Sequence, residues 1–285
     1  MSTILTAAFQ TIQRDSAICF PMLGNLTINP PSYFTVFGFK IYFYGVIIAL
    51  GFILGIVCCT RICARFGIKE DDMYDAILVI IPTAIIGARL YYVLFELDHY
   101  LANPSEIFVL RDGGLAIYGT VIAVFLMTFL YCRRKGIKLG AMTDLCVMGL
   151  MLGQAIGRWG NLFNGEAYGY PVQSAFWQFF PVAVQVDGVW HLATFFYESC
   201  WDLAGFIVLW RYRLRARRAG DVFFLYLLWY GAGRTIIEGL RTDSLMLGPI
   251  RVSQLLSLAL CLCGLVHFRR GKQNGGGRCS LPEKK

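Results

Sequence analysis

Ionisable side chains interrupt several long apolar stretches of this sequence, and they are the residues best suited to do chemistry. Tyr230, Arg234 and Glu238 recur every four residues, so on a helix they share one face. Arg158 stands at the end of another apolar stretch, and Arg89 lies within a third. Ionisable groups are costly inside a membrane and therefore indicate function. Because a guanidinium group stays charged and its fork matches phosphate, these arginines predict an anion-binding site.

Residues 157–169, with the sequence GRWGNLFNGEAYG, form the densest run of glycine and polar residues beside an apolar stretch. Asn161, Asn164 and Glu166 alternate there with glycines, which interrupt the end of a helix. Irregular backbone at membrane depth is tolerated where it is buried in protein or faces a polar cavity. We therefore expect this segment to border the anion site.

The elements that position these residues follow from composition. The chain has 285 residues, of which 57% are hydrophobic and 15% charged, and its mean hydropathy is +0.57. Soluble domains carry roughly 25% charged residues, so disordered, coiled-coil and fibrous classes are excluded and a soluble enzyme is disfavoured. Seven stretches have about the 20 apolar residues that a membrane-crossing helix needs. They are residues 42–60, 73–96, 114–132, 142–163, 194–211, 221–240 and 250–268. The predicted fold class is an all-α membrane protein with seven transmembrane helices.

Lysine and arginine set the orientation of these helices. Eighteen of the 26 Lys and Arg residues lie in the C-terminal tail and in the links after the first, third and fifth stretches, whereas the links on the opposite side hold five. The positive-inside rule then places the N-terminus outside and the C-terminus in the cytoplasm. Short basic clusters between apolar stretches are typical of membrane proteins, so nucleic acid is not expected as a partner.

The predicted organisation is one seven-helix domain over residues 1–270 and a disordered basic cytoplasmic tail over 271–285. Glycine at every fourth position over 149–157 predicts close packing of another helix. Small loop and hairpin features are expected on the outer face. Weak alternation over residues 33–40 predicts a short hairpin, and the outer link 164–193 is long enough to cover the site.

With this topology, polar residues of several helices meet in the outer half of the bilayer. Tyr44, Tyr118 and Glu198 stand near the outer ends of their stretches, at the depth of the arginines. Too few carboxylates accompany the arginines to neutralise them, so an anion is expected to complete the site. A cavity lined by arginine and asparagine and walled by apolar helices suits a lipid with an anionic head group.

These residues alone allow two functions, a lipid-modifying enzyme or a transporter or flippase of an anionic phospholipid. Transport needs a polar path through the inner half, where Asp144 and Asp202 are the only candidates, and Asp144 also suits the start of a helix. No metal or organic cofactor is implied, because the three histidines are scattered and no zinc or nucleotide motif is present.

Residues 157–169 closely resemble the signature GRxGNFxNGExxG of bacterial phosphatidylglycerol–prolipoprotein diacylglyceryl transferases, with Leu162 in place of the usual Phe. Residues 112–119 (DGGLAIYG) and 191–198 (HLATFFYE, without the family's Pro) are similar to two further segments of the family. The stretch from Tyr230 to Ser244 fits its YGxxRxxxExxRxDS pattern. The resemblance covers most of the chain and agrees with seven spans and a cytoplasmic C-terminus.

This resemblance implies an enzyme that transfers the diacylglyceryl group of phosphatidylglycerol to the thiol of the lipobox cysteine of a prolipoprotein. A thioether forms and glycerol phosphate leaves. The implied partners are phosphatidylglycerol, the signal peptides of prolipoproteins and membrane lipids, with no cofactor. The implied location is the bacterial cytoplasmic membrane, with the active site toward the outer leaflet.

Functional positions of the family match this sequence residue by residue, and the polar pattern adds Asn164 and Arg89. The expected phosphatidylglycerol-binding residues are Arg158, Asn161, Asn164, Glu166, Gly169, Tyr44, Tyr230 and Arg89. The expected catalytic residues are Arg158, Arg234, Tyr118 and Glu238. The two arginines are expected to stabilise the charge that grows on the leaving phosphate. Some members carry His at the position of Tyr118, so the proton acceptor stays open between Tyr118 and Glu238, and Glu238 has the alternative role of orienting Arg234.

Overall fold

The structure, a computed structural model, describes residues 16–109, 113–242, 246–247 and 250–273. Most of these residues are helical. The α-helices are α1 (Phe43–Ile62), α2 (Glu70–Phe95), α3 (Leu97–Ala102), α4 (Ile117–Lys135), α5 (Leu139–Gly157), α6 (Gly160–Asn164), α7 (Thr194–Tyr212), α8 (Asp221–Glu238) and α9 (Val252–Gln273). The strands are β1 (Ser16–Phe20), β2 (Leu26–Ile28), β3 (Tyr33–Val36), β4 (Phe39–Tyr42), β5 (Ala183–Val186), β6 (Val189–Leu192), β7 (Met246–Leu247) and β8 (Ile250–Arg251).

Five helical segments in the described part of the chain are long and apolar enough to cross a membrane. They are Phe43–Phe66, Glu70–Phe95, Ile117–Lys135, Leu139–Asn164 and Val252–Arg270, and they coincide with five of the predicted stretches. The other two predicted stretches form α7 and α8, which are helical over the expected ranges. Both are less apolar because they contain charged residues, among them Glu198 in α7 and Arg234 in α8. The count of seven spans therefore stays a prediction.

Contacts divide the described chain into two compact units, one of residues 62–143 and one of residues 16–61 with 144–273. The single domain expected over residues 1–270 stays a prediction. In the first unit, α2 packs against α4 through glycines, since a Cβ added at Gly87 would lie 2.8 Å from the carbonyl oxygen of Gly119. Backbones approach this closely only where side chains are absent.

In the second unit, glycines join α1 to α5. A Cβ at Gly55 would lie 2.9 Å from the carbonyl oxygen of Gly149, and one at Gly51 would lie 3.2 Å from that of Gly153. Gly157, one turn further along α5, lies against the Ile48 side chain. The predicted close packing along the glycines of 149–157 is confirmed, and its partner is α1.

A pair of tryptophans joins α7 to α8. Trp201 and Trp229 stack with ring centroids 4.7 Å apart, and each indole N–H donates to the main-chain carbonyl of the other at 3.0 Å. The indoles lie against Gly205 and Gly233, where a side chain would collide with the rings. Stacking and reciprocal hydrogen bonds fix the rotation of both helices about their axes, and with it the direction of their charged side chains.

The all-α prediction needs one correction, because the second unit contains a four-stranded antiparallel sheet of order β2-β1-β5-β6. Strands β1 and β5 pair through Ser16↔Val186 and Ala17↔Gln185, although they are far apart in the sequence. Strands of only five and four residues show too little periodicity to be recognised, and their pairing depends on tertiary contacts. The core under the sheet consists of Ile18, Leu162, Val184, Val186, Ala193 and Phe195.

The hairpin predicted over residues 33–40 is confirmed. Strands β3 and β4 pair from Tyr33↔Tyr42 to Val36↔Phe39. Phe37 and Gly38 form the turn, with φ of 49° and 82°. Two successive left-handed residues match the right-handed twist of the strands that they connect, and glycine adopts this conformation without strain.

The end of the chain differs slightly from the prediction. Helix α9 extends to Gln273, so the first three residues of the expected tail are helical. The remainder of that tail, residues 274–285, lies outside the described residues, as do Asp112, Asp243 and Ser244 of the family-like segments.

Candidate functional site

Charged residues of α8 and of the segments that follow α5 and α8 converge on one carboxylate, that of Glu198 in α7. Its Oε2 atom lies 2.6 Å from Nε of Arg158. Its Oε1 atom lies 2.7 Å from Nη1 of Arg234 and 3.5 Å from Nη1 of Arg241. The side chain of Glu198 is only 5% exposed, so water cannot replace these partners. Glu198 therefore holds three guanidinium groups in fixed positions.

Arg234 is bound at both terminal nitrogens. Besides the contact with Glu198, its Nη2 atom lies 2.7 Å from Oε2 of Glu238, one helical turn further along α8. Arg251 in turn donates to the main-chain carbonyl of Glu238. The guanidinium of Arg234 is thus clamped between a carboxylate of α7 and a carboxylate of its own helix.

Arg158 is bound differently, through Nε alone. Within the described part of the chain, Glu198 is its ion-pair partner and its two terminal nitrogens carry no hydrogen bond. The side chain of Arg158 is 20% exposed. Arg158 therefore presents a fork of two donors in a fixed orientation, which is the geometry that binds two oxygens of an anion.

A cavity of about 10 Å³ lies beside this cluster. Its lining includes Arg158, Glu198, Asp202, Tyr230 and Arg234. A volume of this size holds about one water molecule. Asp202, which the sequence offered for a separate inner path, borders the same cavity as the arginines.

Seven charged groups meet in this region. The guanidinium groups are those of Arg158, Arg234, Arg241 and Arg251, and the carboxylates are those of Glu198, Glu238 and Asp202. The expectation that carboxylates are too few is wrong for Arg234, because α7 and α8 supply one each. One positive charge is left in excess, and the region still favours an anion. Among the described residues, no group of His, Cys, Asp and Glu could hold a metal ion.

The turn that carries Arg158 is anchored on two sides. The indole N–H of Trp159 donates to Oγ of Ser199 at 3.1 Å, which donates to the carbonyl of Ala155 at 2.7 Å. The side chain of Leu162 lies in the core under the sheet, and its carbonyl accepts a hydrogen bond from the Ser16 hydroxyl. The unexpected sheet therefore helps to position the segment 157–169.

Asn161, Asn164 and Glu166 occupy the short helix α6 and the turn after it. Nδ2 of Asn164 donates to Oε1 of Glu166 at 3.1 Å, and Glu166 is exposed. The carbonyl of Asn161 accepts from the N–H of Glu166 at 3.0 Å. The structure thus brings these three residues together in one turn next to Arg158.

Gly169 is required by a close passage of the backbone. A Cβ there would lie 2.7 Å from the carbonyl oxygen of Leu240, so no side chain fits. Gly169 also forms an antiparallel bridge with Arg241, a member of the arginine cluster. The end of the signature segment is therefore tied directly to the site.

The two expected tyrosines of the second unit take different positions. Tyr44, near the start of α1, lies against Gly160, where an added Cβ would be 2.7 Å from its ring. Tyr230 borders the cavity and stacks on Tyr226 with ring centroids 5.6 Å apart. Tyr226 donates to and accepts from the Gln154 amide, which connects α8 to α5.

Arg89 and Tyr118 belong to the first unit. The guanidinium of Arg89 donates to five main-chain carbonyls at 2.5–3.0 Å, those of Glu106, Ile107, Val109, Gly113 and Gly114. These contacts favour a structural role for Arg89, in which it holds the main chain of residues 106–109 and 113–114 instead of binding lipid. Tyr118 is the second residue of α4, and its ring lies 6.4 Å from that of Tyr91. The expected roles of both residues stay predictions.

Four members of the cluster were not expected as catalytic or binding residues from the sequence, namely Glu198, Arg241, Arg251 and Asp202. The signal for Glu198 was an acid in an apolar stretch at the end of a family-like segment. Asp202 follows four residues later and so shares its helix face. Arg241 stands in the family-like stretch from Tyr230 to Ser244, but its contact with Glu198 depends on the tertiary fold.

Asp144 does not line a polar path through the inner half, the role that transport would require; it binds the start of a helix. Its two carboxylate oxygens accept hydrogen bonds from the main-chain N–H groups of Gly220 and Phe223, both at 2.7 Å. A carboxylate suits this position because the first N–H groups of a helix lack partners and carry partial positive charge. Asp144 thus does serve a helix start, but that of α8 rather than of its own helix.

Comparisons with known proteins all give the same family. A model of the family described as prolipoprotein diacylglyceryl transferase matches residues 31–270. The chain is 43% identical over 234 residues to proteins of Bacillus cereus, Bacillus thuringiensis subsp. konkukian and Bacillus mycoides, each named phosphatidylglycerol–prolipoprotein diacylglyceryl transferase. The aligned region covers 80% of this chain and 87% of each relative.

Proposed function

Because the chain belongs to the prolipoprotein diacylglyceryl transferase family, we propose that it transfers the diacylglyceryl group of phosphatidylglycerol to the lipobox cysteine of prolipoproteins. The substrate thiol becomes a thioether, and glycerol phosphate leaves. This is the first step in the maturation of bacterial lipoproteins. The match over residues 31–270 and the signature segment 157–169 both support the assignment.

The exposed fork of Arg158 is the observation that carries this function. Among the described residues, neither Glu198 nor Glu238 contacts the two terminal nitrogens of Arg158, so these donors can bind a ligand. The contact between Nε of Arg158 and Glu198 fixes their orientation. The phosphate of phosphatidylglycerol supplies two oxygens with the spacing of such a fork. We assign the phosphate of the lipid to Arg158.

The chemistry needs stabilisation of charge on the leaving group. A thiolate displaces an alkyl phosphate, so negative charge grows on the phosphate oxygen while the C–O bond breaks. Donors that are already oriented in a site of low dielectric stabilise this charge without reorganisation. Arg158 contacts the phosphate in this scheme, and Arg234 supplies positive charge from its clamped position. Glu238 orients Arg234, which fits their 2.7 Å contact.

The remaining expected residues have roles in holding the lipid. Asn161, Asn164 and Glu166 offer polar groups for the glycerol head, and Tyr44 and Tyr230 border the head group. Gly169 keeps the backbone close to Arg241. The roles expected for Arg89 in lipid binding and for Tyr118 in proton transfer stay predictions, and the five carbonyl contacts of Arg89 favour a structural role for it.

An apolar cleft beside the site offers a place for the acyl chains. Its volume is about 330 Å³, and it lies between α1, α5 and α7. Apolar side chains of all three helices line it, among them Ile47, Leu152 and Leu203, and Trp159 stands at its polar end. Diacylglycerol bound there keeps its chains in an apolar environment while its head group reaches Arg158.

The proposed topology has seven spans, an outer N-terminus and a cytoplasmic C-terminus. Arg158 follows the end of α5, Glu198 lies near the start of α7, and Glu238 ends α8. In helices that alternate in direction, these three positions fall on one side of the membrane. The links on that side hold few lysines and arginines, so we assign the site to the outer leaflet of the bacterial cytoplasmic membrane.

The link 164–193 remains our candidate for a cover over the site. It contains strands β5 and β6, and its Gly169 contacts the cluster. A cover over the site would exclude water from the reacting groups.

Transport of an anionic lipid is less well supported. It requires a second polar site along the path, and the two carboxylates that offered one are engaged elsewhere. Asp144 caps α8, and Asp202 borders the cavity of the arginine cluster.

A transfer assay tests the proposal. Purified protein receives phosphatidylglycerol and a lipobox peptide, with the Cys→Ser peptide as control, and mass spectrometry detects the added diacylglyceryl group. We expect a mass increment that requires the cysteine and disappears in Arg234→Ala. Folded, lipid-binding protein that yields no increment would contradict the proposal, and lipid movement across vesicles would then test transport.

A further inference from the structure

Asp202 differs from the other acids of the site because no cation of the described part of the chain is bound to it. It lies one turn from Glu198 on α7 and is 3% exposed. Its Oδ2 atom has no hydrogen-bond partner among the described residues, and the same holds for Oε2 of Glu198 and of Glu238, but those two atoms each lie beside a guanidinium nitrogen. Glu198 and Glu238, by contrast, contact guanidinium nitrogens at 2.6–2.7 Å. A buried carboxylate oxygen without a partner is unfavourable, so its presence in a site indicates a bound water or a function.

Asp202 and the arginines border the same small cavity. Its volume of about 10 Å³ matches one water molecule. Such a water has polar neighbours on several sides, including Asp202, Tyr230 and the arginines Arg158 and Arg234. Because Arg158 and Asp202 both border the cavity, a water there lies between the carboxylate and the guanidinium.

We propose that Asp202 accepts the proton of the lipobox thiol through a water molecule in this cavity, a role that rests on the transferase activity proposed above. The proton leaves sulfur as the new S–C bond forms at the glycerol carbon. The C–O bond to phosphate breaks, and its electron pair stays on the phosphate oxygen. Asp202 then returns the proton to the leaving glycerol phosphate, so the carboxylate is regenerated and no other reactant is needed.

The other groups around Asp202 are poor candidates for this role. They are Arg158 after α5, Glu198 of its own helix, and Tyr226, Tyr230 and Arg234 of α8. The tyrosine hydroxyls are protonated at neutral pH and so do not take up the thiol proton as bases. Arginine stays protonated in proteins and cannot accept a proton. Glu198 and Glu238 would have to release Arg158 or Arg234 in order to do so. Asp202 can be protonated without breaking an ion pair.

The test compares two nucleophiles in the full-length protein. Asp202→Asn and the unchanged protein receive phosphatidylglycerol with a lipobox peptide that carries either cysteine or selenocysteine. A selenol is already ionised at neutral pH and needs no proton acceptor, whereas a thiol is mostly protonated there. With cysteine, we expect Asp202→Asn to lose about 100-fold or more of the rate. With selenocysteine, we expect nearly the unchanged rate.

The pH dependence provides a second measurement. In Asp202→Asn the thiol must ionise in solution, so transfer to cysteine is expected to rise about tenfold for each pH unit up to the ionisation of the thiol, near pH 8.5. In the unchanged protein, transfer to cysteine is expected to vary less over this range. A loss in Asp202→Asn that is equal for both peptides and independent of pH would overturn the proposal.

Matched variants separate proton transfer from folding. Asp144→Asn removes another buried carboxylate of the same unit that does not border the cavity, so we expect it to affect both peptides equally. If Asp202→Asn does not fold, Asp202→Glu is measured in its place. This variant keeps a proton acceptor, so its loss of rate with cysteine should be no larger than its loss with selenocysteine, as in Asp144→Asn. A selective loss with cysteine in Asp202→Glu would contradict the proposal. Selective loss with cysteine in Tyr118→Phe instead would assign the proton to Tyr118. If the unchanged protein transfers to neither peptide, the proposed function fails rather than the role of Asp202.

Discussion

Replacing Glu198 with glutamine removes the charge to which Arg158 and Arg234 are bound while nearly conserving the volume of the side chain. Both contacts are short, 2.6 Å to Nε of Arg158 and 2.7 Å to Nη1 of Arg234. Removing one partner of a buried ion pair costs about 3–5 kcal/mol, because the other charge stays buried. Arg234 keeps Glu238 at 2.7 Å. Glu198→Gln therefore leaves mainly Arg158 without its partner. We expect the free energy of unfolding to fall by about 3 kcal/mol, the lower end of that range.

Thermal unfolding in detergent micelles, followed by tryptophan fluorescence, measures this loss. Each kcal/mol lowers the midpoint by about 2–4 °C in a protein of this size, so the midpoint of Glu198→Gln is expected to fall by about 6–12 °C. The matched control is Glu106→Gln, whose side chain is 49% exposed and pairs only with His99 among the described residues. An exposed pair contributes about 0–1 kcal/mol, so the control should fall by less than about 4 °C.

A double variant sharpens the test. When Arg158→Gln accompanies Glu198→Gln, both charges disappear, and the combined loss should be smaller than the sum of the two single losses. A midpoint of Glu198→Gln close to that of Glu106→Gln would refute the reasoning. Strict additivity in the double variant would also refute it, since it would mean that the two side chains do not depend on each other.

Three further predictions concern the fork, the helix packing and the first unit. Arg158→Lys keeps the charge but loses the fork, and transfer should fall by about 100-fold in the mass-spectrometric assay. Gly149→Ala places a Cβ 2.9 Å from the carbonyl oxygen of Gly55, and we expect a loss of about 1–3 kcal/mol in thermal unfolding. Arg89→Lys offers one nitrogen in place of three, so hydrogen exchange of residues 104–109, measured by mass spectrometry, should become faster.

Each of these predictions has a clear contrary outcome. Near-normal transfer by Arg158→Lys would show that charge alone suffices. Gly45→Ala is the control for the packing variant, because an added Cβ meets nothing within 4 Å there, and equal stability loss in both variants would exclude the close contact as the cause. Unchanged exchange of residues 104–109 in Arg89→Lys would mean that the carbonyl contacts do not order that segment.

Much of the helical framework was predictable from the sequence, because apolar length is a local property. The stretches predicted as 42–60 and 194–211, for example, correspond to α1 (Phe43–Ile62) and α7 (Thr194–Tyr212). The packing face of α5 was also predictable, because glycine at every fourth residue leaves a groove on one side of a helix. The partner in that groove, α1, was not, since it depends on which helix comes near.

The sheet and the ion pairs were harder to predict, because both form between segments that are distant along the chain. Strands β1 and β5 are short and distant in the sequence, and their pairing appears only in three dimensions. The expected shortage of carboxylates was wrong for Arg234, because the contacts of Glu198 with the arginines form only in the folded protein. In the fold, one carboxylate binds arginines from α8 and from the segments that follow α5 and α8.

By itself the sequence determined a helical membrane protein, a family and the residue types of an anion site. Composition, apolar length and a thirteen-residue signature are enough for these conclusions, since they depend on neighbours along the chain. Only the tertiary structure decided that Arg234 is clamped, that Arg158 presents its fork, and that Asp202 stands without a cation. Those distinctions depend on the rotation of α7 against α8, which the stacked pair of Trp201 and Trp229 sets through contacts between helices.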